Sequence, residues 1–504
     1  MARINGGIIG PDNIPTGPLG TASGVWRLQD ATKYQGEGLW PIVTGITYPV
    51  ANSLRFNSGS SDYLSRTPAG TSSGTITTHS LWFKRSDFAS DFLYINFENG
   101  TNYGYIGFDS DSLDIRSSPG YVYVTTQKLR DPSAWYHLVV AVDNSLGTAS
   151  DRVKIYLNGS RVTSFSTQTD PSSGGVNNLS VDNTASNLMN VGGYSGGNYF
   201  GGYIAEFNFI DGQALDPTDF GEFDEDSGIW KPIPYAGTYG TNGFYLEFQD
   251  SGALGTDTSG NGNNFTVNNL TSIDQTTDTP TNNFATGNAL ACPNVGTLSE
   301  GNLQIVGNTT LNYYGFVSST IGMSSGKWYA EFKKGTSGTN SCDIGITPNP
   351  MSNGSTGNDW LGSSTIAGSY SYDGNNGNIV TNGSGSAYGS SYTTGDIVSV
   401  ALDLTNSKLY VAKNGTWQNS ADPVAGSGGY SITAVSSTAS GVYFFAFGDN
   451  AGTSGTGYAT VQANFGSPIY SANSYTDGAG YGNFSYAVPS GYYALCTKNL
   501  AEFG

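Results

Sequence analysis

The stretch that decides the fold is VKIYLNG, at residues 153–159. Its first five residues alternate apolar and polar side chains, which is the period of a β-strand with one buried face. Asn-Gly follows at once, and this dipeptide favours a two-residue hairpin turn because both of its positions need a positive φ. The same signature returns in KLYVAKNG, at residues 408–415. Two hairpins of one type, far apart in the chain, predict two β-sandwiches.

The composition around these hairpins is that of an all-β protein. The 504 residues include 71 Gly and 33 Tyr, and only 12% of them are charged. Helices prefer Ala, Leu, Glu, Lys and Arg, so this composition excludes a coiled coil, a collagen and a helical bundle. A chain of this length corresponds to roughly three domains of about 150 residues.

The charge excludes further classes of function. The formal net charge is −19 at pH 7, and such a surface repels phosphate backbones, so we expect no nucleic-acid partner. No run approaches about 18 apolar residues, so we expect no membrane insertion. The opening residues MARINGG lack the apolar core of a secretory signal. We therefore expect synthesis in the cytoplasm of the producing cell, although the surface chemistry is typical of an extracellular protein.

The chain divides into five segments. Residues 48–235 and 300–470 each hold short strands separated by Gly, Asn and Ser turns, which predicts two β-sandwiches of the jelly-roll kind. Residues 236–299 are interpreted as a linker that packs on its neighbours, because they combine polar turns with scattered aromatic residues. Residues 1–47 are interpreted as an extended N-terminal arm, and residues 471–504 as an aromatic tail.

The arm contains two tryptophan sites that could anchor it to another protein. An aromatic side chain buries a large area when it docks, which makes these positions candidates for particle docking. The other interpretation is that both tryptophans cap the core of the first sandwich. The candidate docking residues are Val25, Trp26, Leu28 and Trp40.

Several elements of the first sandwich occur in a recognisable order. These elements are LRF (54–56), DYL (62–64), SLWF (80–83), WYHLV (135–139), YLNG (156–159) and GYIAE (202–206). Their order resembles the concanavalin A-like lectin/glucanase superfamily in its laminin G-type, pentraxin-like form. The resemblance implies a jelly roll of two sheets over residues 50–220.

The second sandwich shows another ordered set. Its elements are GKWYAE (326–331), IGI (344–346), YSYDG (370–374), GDIV (395–398), KNG (413–415) and NFG (464–466). This set is similar to a SPRY domain. The resemblance implies a sandwich that binds through its loops and has no catalytic activity of its own.

Three other segments resemble structural proteins of marine tailed bacteriophages, cyanophages especially. They are FIDGQALDP (209–217), FGEFDED (220–226) and YYALCTKNL (492–500). The resemblance implies a tail fibre, spike or similar appendage on the virion surface. Its implied partners are tail, baseplate or capsid proteins and host-surface glycans. A decoration protein with a purely structural role is the alternative.

We expect a homo-oligomer, and a trimer in the leading hypothesis. Symmetric copies would raise a weak affinity for sugars through avidity. They would also cover exposed aromatic side chains.

Tyrosines in predicted loops are the candidate glycan site. A Tyr ring offers a flat apolar face with a hydroxyl at its rim, which suits a sugar ring. The alternative is that these residues pair across strands and stabilise a sheet. The candidates are Tyr103, Tyr105, Tyr121, Tyr194 and Tyr199.

One loop is a candidate calcium site. DTSGNGNN, at residues 257–264, is rich in side-chain oxygens and contains Gly, as calcium loops do. It lacks the terminal Glu of an EF-hand, so the alternative is an Asn/Gly turn. The candidate ligands are Asp257, Asn261 and Asn263.

An acidic cluster raises the hypothesis of a glycan hydrolase. Glu222, Asp224 and Asp226 would share one face of a strand, and paired carboxylates hydrolyse glycosides in enzymes of the same superfamily. The cluster follows the last expected strand and lacks alternating apolar partners. We therefore predict a solvated acidic turn and no enzymatic activity.

Nucleophilic catalysis has little support in the sequence. The chain has two histidines, and His137 lies within an apolar strand, where a core or strand-surface role is expected. No Ser or Cys can be assigned a His base. The three cysteines, Cys292, Cys342 and Cys496, form no CxxC motif and define no disulfide framework.

Overall fold

The computed structural model describes residues 48–68, 74–97, 102–175, 177–180, 188–225, 227–291, 296–307, 315–335, 341–351, 359–450 and 459–504. These residues form two β-sandwiches followed by a C-terminal segment, so the predicted all-β fold class is confirmed. No helix in these ranges has the length and apolar character needed to cross a membrane.

The first sandwich is built from strands that run from residue 53 to residue 276. In chain order they are β1 (Ser53–Phe56), β2 (Tyr63–Arg66), β3 (Ile76–Arg85), β4 (Phe92–Phe97), β5 (Tyr103–Asp109), β6 (Ser112–Ser118), β7 (Tyr121–Lys128), β8 (Trp135–Asp143), β9 (Val153–Leu157), β10 (Ser160–Arg161), β11 (Phe165–Thr169), β12 (Leu188–Val191), β13 (Gly202–Asp211), β14 (Gly221–Phe223), β15 (Trp230–Pro232), β16 (Phe244–Leu246), β17 (Thr266–Asn268) and β18 (Gln275–Thr276).

These strands form two large sheets in the described part of the chain. Sheet 1 has the order β10-β9-β8-β3-β13-β1-β18, with β16 also paired to β13. Sheet 2 has the order β11-β7-β6-β5-β4-β12-β2-β17. The apolar side chains of their facing sides form one buried core, as expected of a jelly roll. Strands β14 and β15 form a separate hairpin.

The second sandwich and the C-terminal segment hold the remaining elements. They are β19 (Gly296–Ser299), β20 (Gln304–Gly307), β21 (Gly315–Ser318), β22 (Lys327–Lys334), β23 (Ser341–Thr347), β24 (Tyr370–Asp373), β25 (Asn378–Thr381), β26 (Ser384–Ala387), β27 (Ile397–Asp403), β28 (Lys408–Lys413), β29 (Thr416–Trp417), β30 (Tyr430–Ser431), β31 (Phe444–Asn450), β32 (Thr460–Asn464), β33 (Tyr493–Ala494) and helix α1 (Thr497–Phe503).

Sheets 3 and 4 pack around a second core. Sheet 3 has the order β19-β20-β32-β22-β27-β28-β29, with β30 paired to β28 and β33 paired to β22. Sheet 4 has the order β21-β31-β23-β24-β25-β26. Short 3-10 helices connect strands in both sandwiches, at Ser58–Ser60, Ala149–Asp151, Pro217–Asp219, Ser272–Asp274, Ala289–Ala291, Gln418–Ser420 and Val435–Ser437.

The two predicted Asn-Gly hairpins are confirmed. Asn158 and Gly159 have φ of 48° and 75°, and Asn414 and Gly415 have φ of 48° and 77°. These positive angles at both turn positions are those of a type I′ turn. Each turn joins two antiparallel strands, β9 to β10 and β28 to β29.

The linker interpretation of residues 236–299 is only partly correct. Strands β16, β17 and β18 lie in this segment and join sheets 1 and 2. Phe244, Leu246 and Phe265 are buried in the first core. The first sandwich therefore extends to Thr276, because β16 pairs with β13, and β17 and β18 pair with β2 and β1 from the start of the domain. Three-residue strands leave too short a pattern in the sequence to reveal this pairing.

Candidate functional site

The outward side of sheet 2 carries an aromatic cluster. In β5 the side chains of Ile106 and Phe108 enter the core, whereas Tyr103 and Tyr105 lie outside it and are half-buried. The alternation of a β-strand explains this division, since successive side chains point to opposite faces. Three of the five predicted sugar-binding tyrosines, Tyr103, Tyr105 and Tyr194, meet in this region.

Four rings form this cluster, which we call the aromatic face. The rings of Tyr103 and Tyr105 lie nearly parallel, with centroids 6.1 Å apart and planes 6° apart. Phe92 lies 4.5 Å from Tyr105 and 6.1 Å from Tyr194, measured between ring centroids. Phe92 begins β4 and Tyr194 lies in a tight turn, so a strand edge and a loop complete the cluster.

A buried carboxylate supports the aromatic face from the neighbouring strand β6. The Tyr105 hydroxyl donates to Asp114 Oδ2 over 2.8 Å. Arg116 Nε donates to the same carboxylate over 2.9 Å, and Arg116 Nη2 lies 2.8 Å from Asp114 Oδ2. Burial, reinforced by Asp114, raises the pKa of Tyr105 well above its usual range, so this hydroxyl stays protonated and oriented.

The arrangement can bind a ring-shaped polar molecule. Parallel Tyr rings offer an apolar surface for the C–H face of a sugar. The Arg116 side chain, 35% exposed, provides N–H donors beside them, with its Cζ 5.8 Å from the centre of the Tyr105 ring. Phe92, Asp114 and Arg116 were missed in the sequence analysis. The alternation in SLDIRSS, residues 112–118, could have placed Asp114 and Arg116 on one face.

The other two predicted tyrosines do not join the aromatic face. Tyr121 is 1% exposed, lies in the core and donates its hydroxyl to Asn177 Oδ1 over 2.7 Å. Its prediction as a sugar-binding residue is therefore wrong, because it begins β7 with its side chain turned inward. Tyr199 packs instead beside Tyr63, with ring centroids 6.0 Å apart.

The predicted calcium loop is held together by its own side chains. Asp257 Oδ1 accepts from the backbone N–H groups of Tyr245 and Ser259, both over 2.9 Å. Its Oδ2 accepts from the Asn263 backbone N–H over 2.7 Å. The Asn261 side-chain amide donates to the Gly240 and Gly243 carbonyls.

Asn263 completes this arrangement. Its amide donates to the Thr241 and Gly243 carbonyls, and its oxygen accepts from Arg66. The side chains of the three candidate ligands are therefore engaged within the loop, as the alternative of an Asn/Gly turn expects. In the described ranges no cluster of three or more His, Cys, Asp and Glu side chains could hold a metal ion.

The acidic cluster forms the hairpin of β14 and β15. Lys231 Nζ lies 3.3 Å from Glu222 Oε1 and 3.1 Å from Asp224 Oδ2. Hydrogen bonds from Ser227, helped by Lys231, lower the pKa of Asp224 to about 2. A carboxyl with such a low pKa is a poor general acid, so Asp224 is unsuited to that role in glycoside hydrolysis. Asp226 lies outside the described residues.

His137 occupies a closed aromatic pocket. Trp230 Nε1 donates to His137 Nδ1 over 2.9 Å, and His137 Nε2 lies 2.9 Å from Ser80 Oγ. Its ring stacks on Trp82, with centroids 4.8 Å apart. Burial lowers the pKa of His137 to about 3, so the imidazole is neutral. The expected structural role is confirmed, because neither the ring nor Ser80 faces solvent.

Other predicted positions carry no information on the site. Val25, Trp26, Leu28, Trp40 and Cys292 lie outside the described residues. Cys342 and Cys496 are free thiols and are both buried.

Comparison with family models identifies both sandwiches. The model of the concanavalin A-like lectin/glucanases superfamily, in its laminin G type, matches residues 58–219. The SPRY domain model matches residues 327–451. The chain contains a laminin G-type, concanavalin A-like domain and a SPRY domain. The aromatic face lies within the first of them.

Three solved structures share parts of the fold. A candidate carbohydrate-binding protein from Bacteroides ovatus is 17% identical with a TM-score of 0.32, over 44% of this chain and 59% of that protein. The SPRY domain of human HERC1 is 15% identical with a TM-score of 0.24, over 34% of this chain and 91% of that domain.

The third is domain 4 of AbnA, a GH43 extracellular arabinanase from Geobacillus stearothermophilus, in complex with arabinotriose. It is 24% identical with a TM-score of 0.22, over 30% of this chain and 68% of that domain. At these identities and scores, the likeness to the three structures concerns the β-sandwich fold alone. Among curated proteins, none matches this chain.

Proposed function

We propose that this chain is a non-enzymatic glycan-binding protein and that the aromatic face is its primary binding site. The observation that carries the proposal is the parallel pair Tyr103 and Tyr105 on the outward side of sheet 2. The two rings lie side by side along one strand, outside the core, and both are half-buried. Asp114 and Arg116 place polar groups at its edge, where the hydroxyls of a stacked sugar would lie.

The biological setting is also a proposal. The chain would be a component of a bacteriophage virion, in a tail fibre, spike or similar appendage. Support comes from the resemblance of residues 209–217, 220–226 and 492–500 to structural proteins of marine phages. In this setting the arm, residues 1–47, docks to tail, baseplate or capsid proteins, and the protein is made in the host cytoplasm. Trimeric copies would present several aromatic faces at once and bind host glycans by avidity.

A glycan array with the full chain tests this function. We expect the wild type to bind a subset of surface glycans and Tyr105→Ala to lose at least about tenfold in affinity, because a stacking ring is removed. Tyr156→Ala is the matched control. Tyr156 also donates to an aspartate, Asp216 over 3.2 Å, and has a nearby arginine, Arg161, but it lies on sheet 1.

Two results would contradict the proposal. Equal losses in Tyr105→Ala and Tyr156→Ala would show that the aromatic face has no special role. Absence of binding to any glycan on the array would favour the structural alternative, in which the chain decorates a capsid or tail.

A further inference from the structure

The second sandwich contains a cleft that the primary site does not use. It lies between the outward side of sheet 3 and the C-terminal segment and has a volume of about 430 Å³, within the roughly 300–1,000 Å³ of small-molecule sites. Its lining residues are Tyr329, Ser399, Ala412, Gly415, Trp417, Asn473, Tyr475, Ser485, Tyr486 and Ala487.

The floor of the cleft belongs to a row of residues that crosses four strands. Glu331 on β22 lies opposite Ser399 on β27, Ser399 lies opposite Ala412 on β28, and Ala412 lies opposite Trp417 on β29. Residues directly opposite each other share one face of a sheet. Small side chains at Ser399 and Ala412, between the larger Glu331 and Trp417, therefore leave a trough.

The C-terminal segment forms the opposite wall and is fixed by Glu331. The backbone N–H groups of Ser485 and Tyr486 donate to Glu331 over 2.8 and 2.9 Å. The Tyr486 ring packs against Gly415, where an added Cβ would lie 2.6 Å from the ring. Tyr475, 47% exposed, lines the mouth. Aromatic residues from both walls, Trp417, Tyr475 and Tyr486, thus border the trough.

Two buried hydroxyls in the lining lack a good partner. Ser399 is 1% exposed and Ser485 is 4% exposed. Their side-chain oxygens lie near Tyr329 and Glu331 but complete no hydrogen bond of ordinary geometry. A buried polar atom left in this state costs free energy unless a ligand or water satisfies it.

We propose that this cleft is a second saccharide site and that it accepts one neutral sugar ring. The aromatic walls provide stacking surfaces, and the Ser399 and Ser485 hydroxyls provide hydrogen bonds to sugar hydroxyls. The lining residues carry no charged side chain, and the adjacent Glu331 carboxylate disfavours an anionic sugar. The proposal goes beyond the glycan binding of the aromatic face and does not depend on it.

The test uses the full chain with the first site removed. In a Tyr103→Ala/Tyr105→Ala background, saturation-transfer NMR with a mixture of methyl glycosides of neutral hexoses should still show transfer to at least one glycoside. Adding Tyr475→Ala or Trp417→Ala should weaken that binding about tenfold, and methyl glucuronide should show no transfer. Val424→Ala, at a side chain 61% exposed and outside the cleft, should leave the transfer unchanged.

The outcomes separate the two sites. Absence of transfer in the Tyr103→Ala/Tyr105→Ala background, or transfer that Tyr475→Ala and Trp417→Ala both leave unchanged, overturns the second site without affecting the first. Tyr475 is exposed, so its removal does not threaten the fold. Ser399→Ala provides a further check, because it removes only the hydroxyl and should also weaken binding.

Discussion

The outward faces of sheet 2 and sheet 3 each hold a tyrosine hydroxyl that donates to a buried carboxylate, but only the first face stays open. On sheet 2 the Tyr105 hydroxyl donates to Asp114 over 2.8 Å, and on sheet 3 the Tyr329 hydroxyl donates to Glu331 over 3.0 Å. Arg116 supplies the other donors to Asp114, whereas Glu331 accepts from two backbone N–H groups of the C-terminal segment and, over 3.4 Å, from the Asn464 side chain.

The consequence is a difference in access. Tyr105 remains half-exposed, but Tyr329 is 1% exposed beneath a cluster that includes Phe484 and Tyr492. A sheet face of this kind can therefore be kept open for a ligand or covered by the chain itself. On sheet 2 the Arg116 side chain satisfies the buried carboxylate and the face stays open. On sheet 3 the following segment donates to the carboxylate and covers the face.

The largest effect on stability is expected when the carboxylate under the C-terminal segment is removed. Glu331→Ala should destabilise the second sandwich by about 3–5 kcal/mol, because it leaves Ser485 N–H, Tyr486 N–H and the Tyr329 hydroxyl buried without an acceptor. Urea unfolding measures the loss, and limited proteolysis should then cut within residues 471–504.

Glu225→Ala, at an exposed glutamate, is the control and should change stability by less than about 0.5 kcal/mol. A loss below about 1 kcal/mol in Glu331→Ala would show that the segment is held by its apolar contacts alone.

A third buried carboxylate, Glu206, differs from both in its donors. Glu206 on sheet 1 accepts from the hydroxyls of Tyr48 and Tyr245, over 2.9 and 2.7 Å. Burial raises its pKa from 4.5 to about 7, so the folded state binds this proton more tightly and loses stability as the pH rises through that range. Glu206→Gln lacks this titration. Its stability relative to wild type should therefore improve by up to about 3 kcal/mol between pH 4.5 and 7.5 in urea unfolding. A difference that stays constant with pH would refute the assignment.

The smallest effect on stability is expected for a change at His79, on the inner face of sheet 1. His79 is fully buried, burial lowers its pKa to about 3, and neither ring nitrogen has a hydrogen-bond partner among the residues that the structure describes. The folded state thus resists protonation, and the stability present above pH 6.5 is lost as the pH falls toward 3. His79→Phe should match wild type at pH 8 and be more stable by about 2 kcal/mol at pH 5.

His137→Phe is the matched control for that experiment. It loses the hydrogen bonds with Trp230 and Ser80, so it should be destabilised by about 1–3 kcal/mol at pH 8, where His79→Phe is not. If both variants behave alike at pH 8, the hydrogen bonds of His137 do not stabilise the protein.

The fold was largely predictable because its signals are local. Period-two alternation and the Asn-Gly turns at 158–159 and 414–415 reveal strands and hairpins directly. The boundary of the first sandwich was not predictable. Its last strands, β16 to β18, are two or three residues long, and β17 and β18 pair with β2 and β1 at the start of the domain; no periodic pattern records such pairing.

The site was predictable in residue type more than in position. Tyrosine was the correct chemistry, and alternation places Tyr103 and Tyr105 on one face. The same alternation turns Tyr121 inward, but its loop-like surroundings concealed the start of β7. Phe92 reaches the cluster because β4 pairs with β5, which only the folded sheet shows. In the candidate calcium loop, Asp257 accepts hydrogen bonds from backbone N–H groups and Asn263 accepts one from Arg66. Composition alone cannot distinguish such a turn from a metal-binding loop.

Hydroxyl-radical footprinting of the full chain, with and without the glycan that binds most tightly on the array, is the most direct test of glycan binding at the aromatic face. We expect the glycan to reduce the oxidation of Tyr103, Tyr105 and Tyr194 and to leave the oxidation of Tyr156 unchanged. Of these four, only the first three belong to the aromatic face. Unchanged oxidation of all three, with glycan binding intact, would contradict the claim that the open face of sheet 2 is the primary binding site.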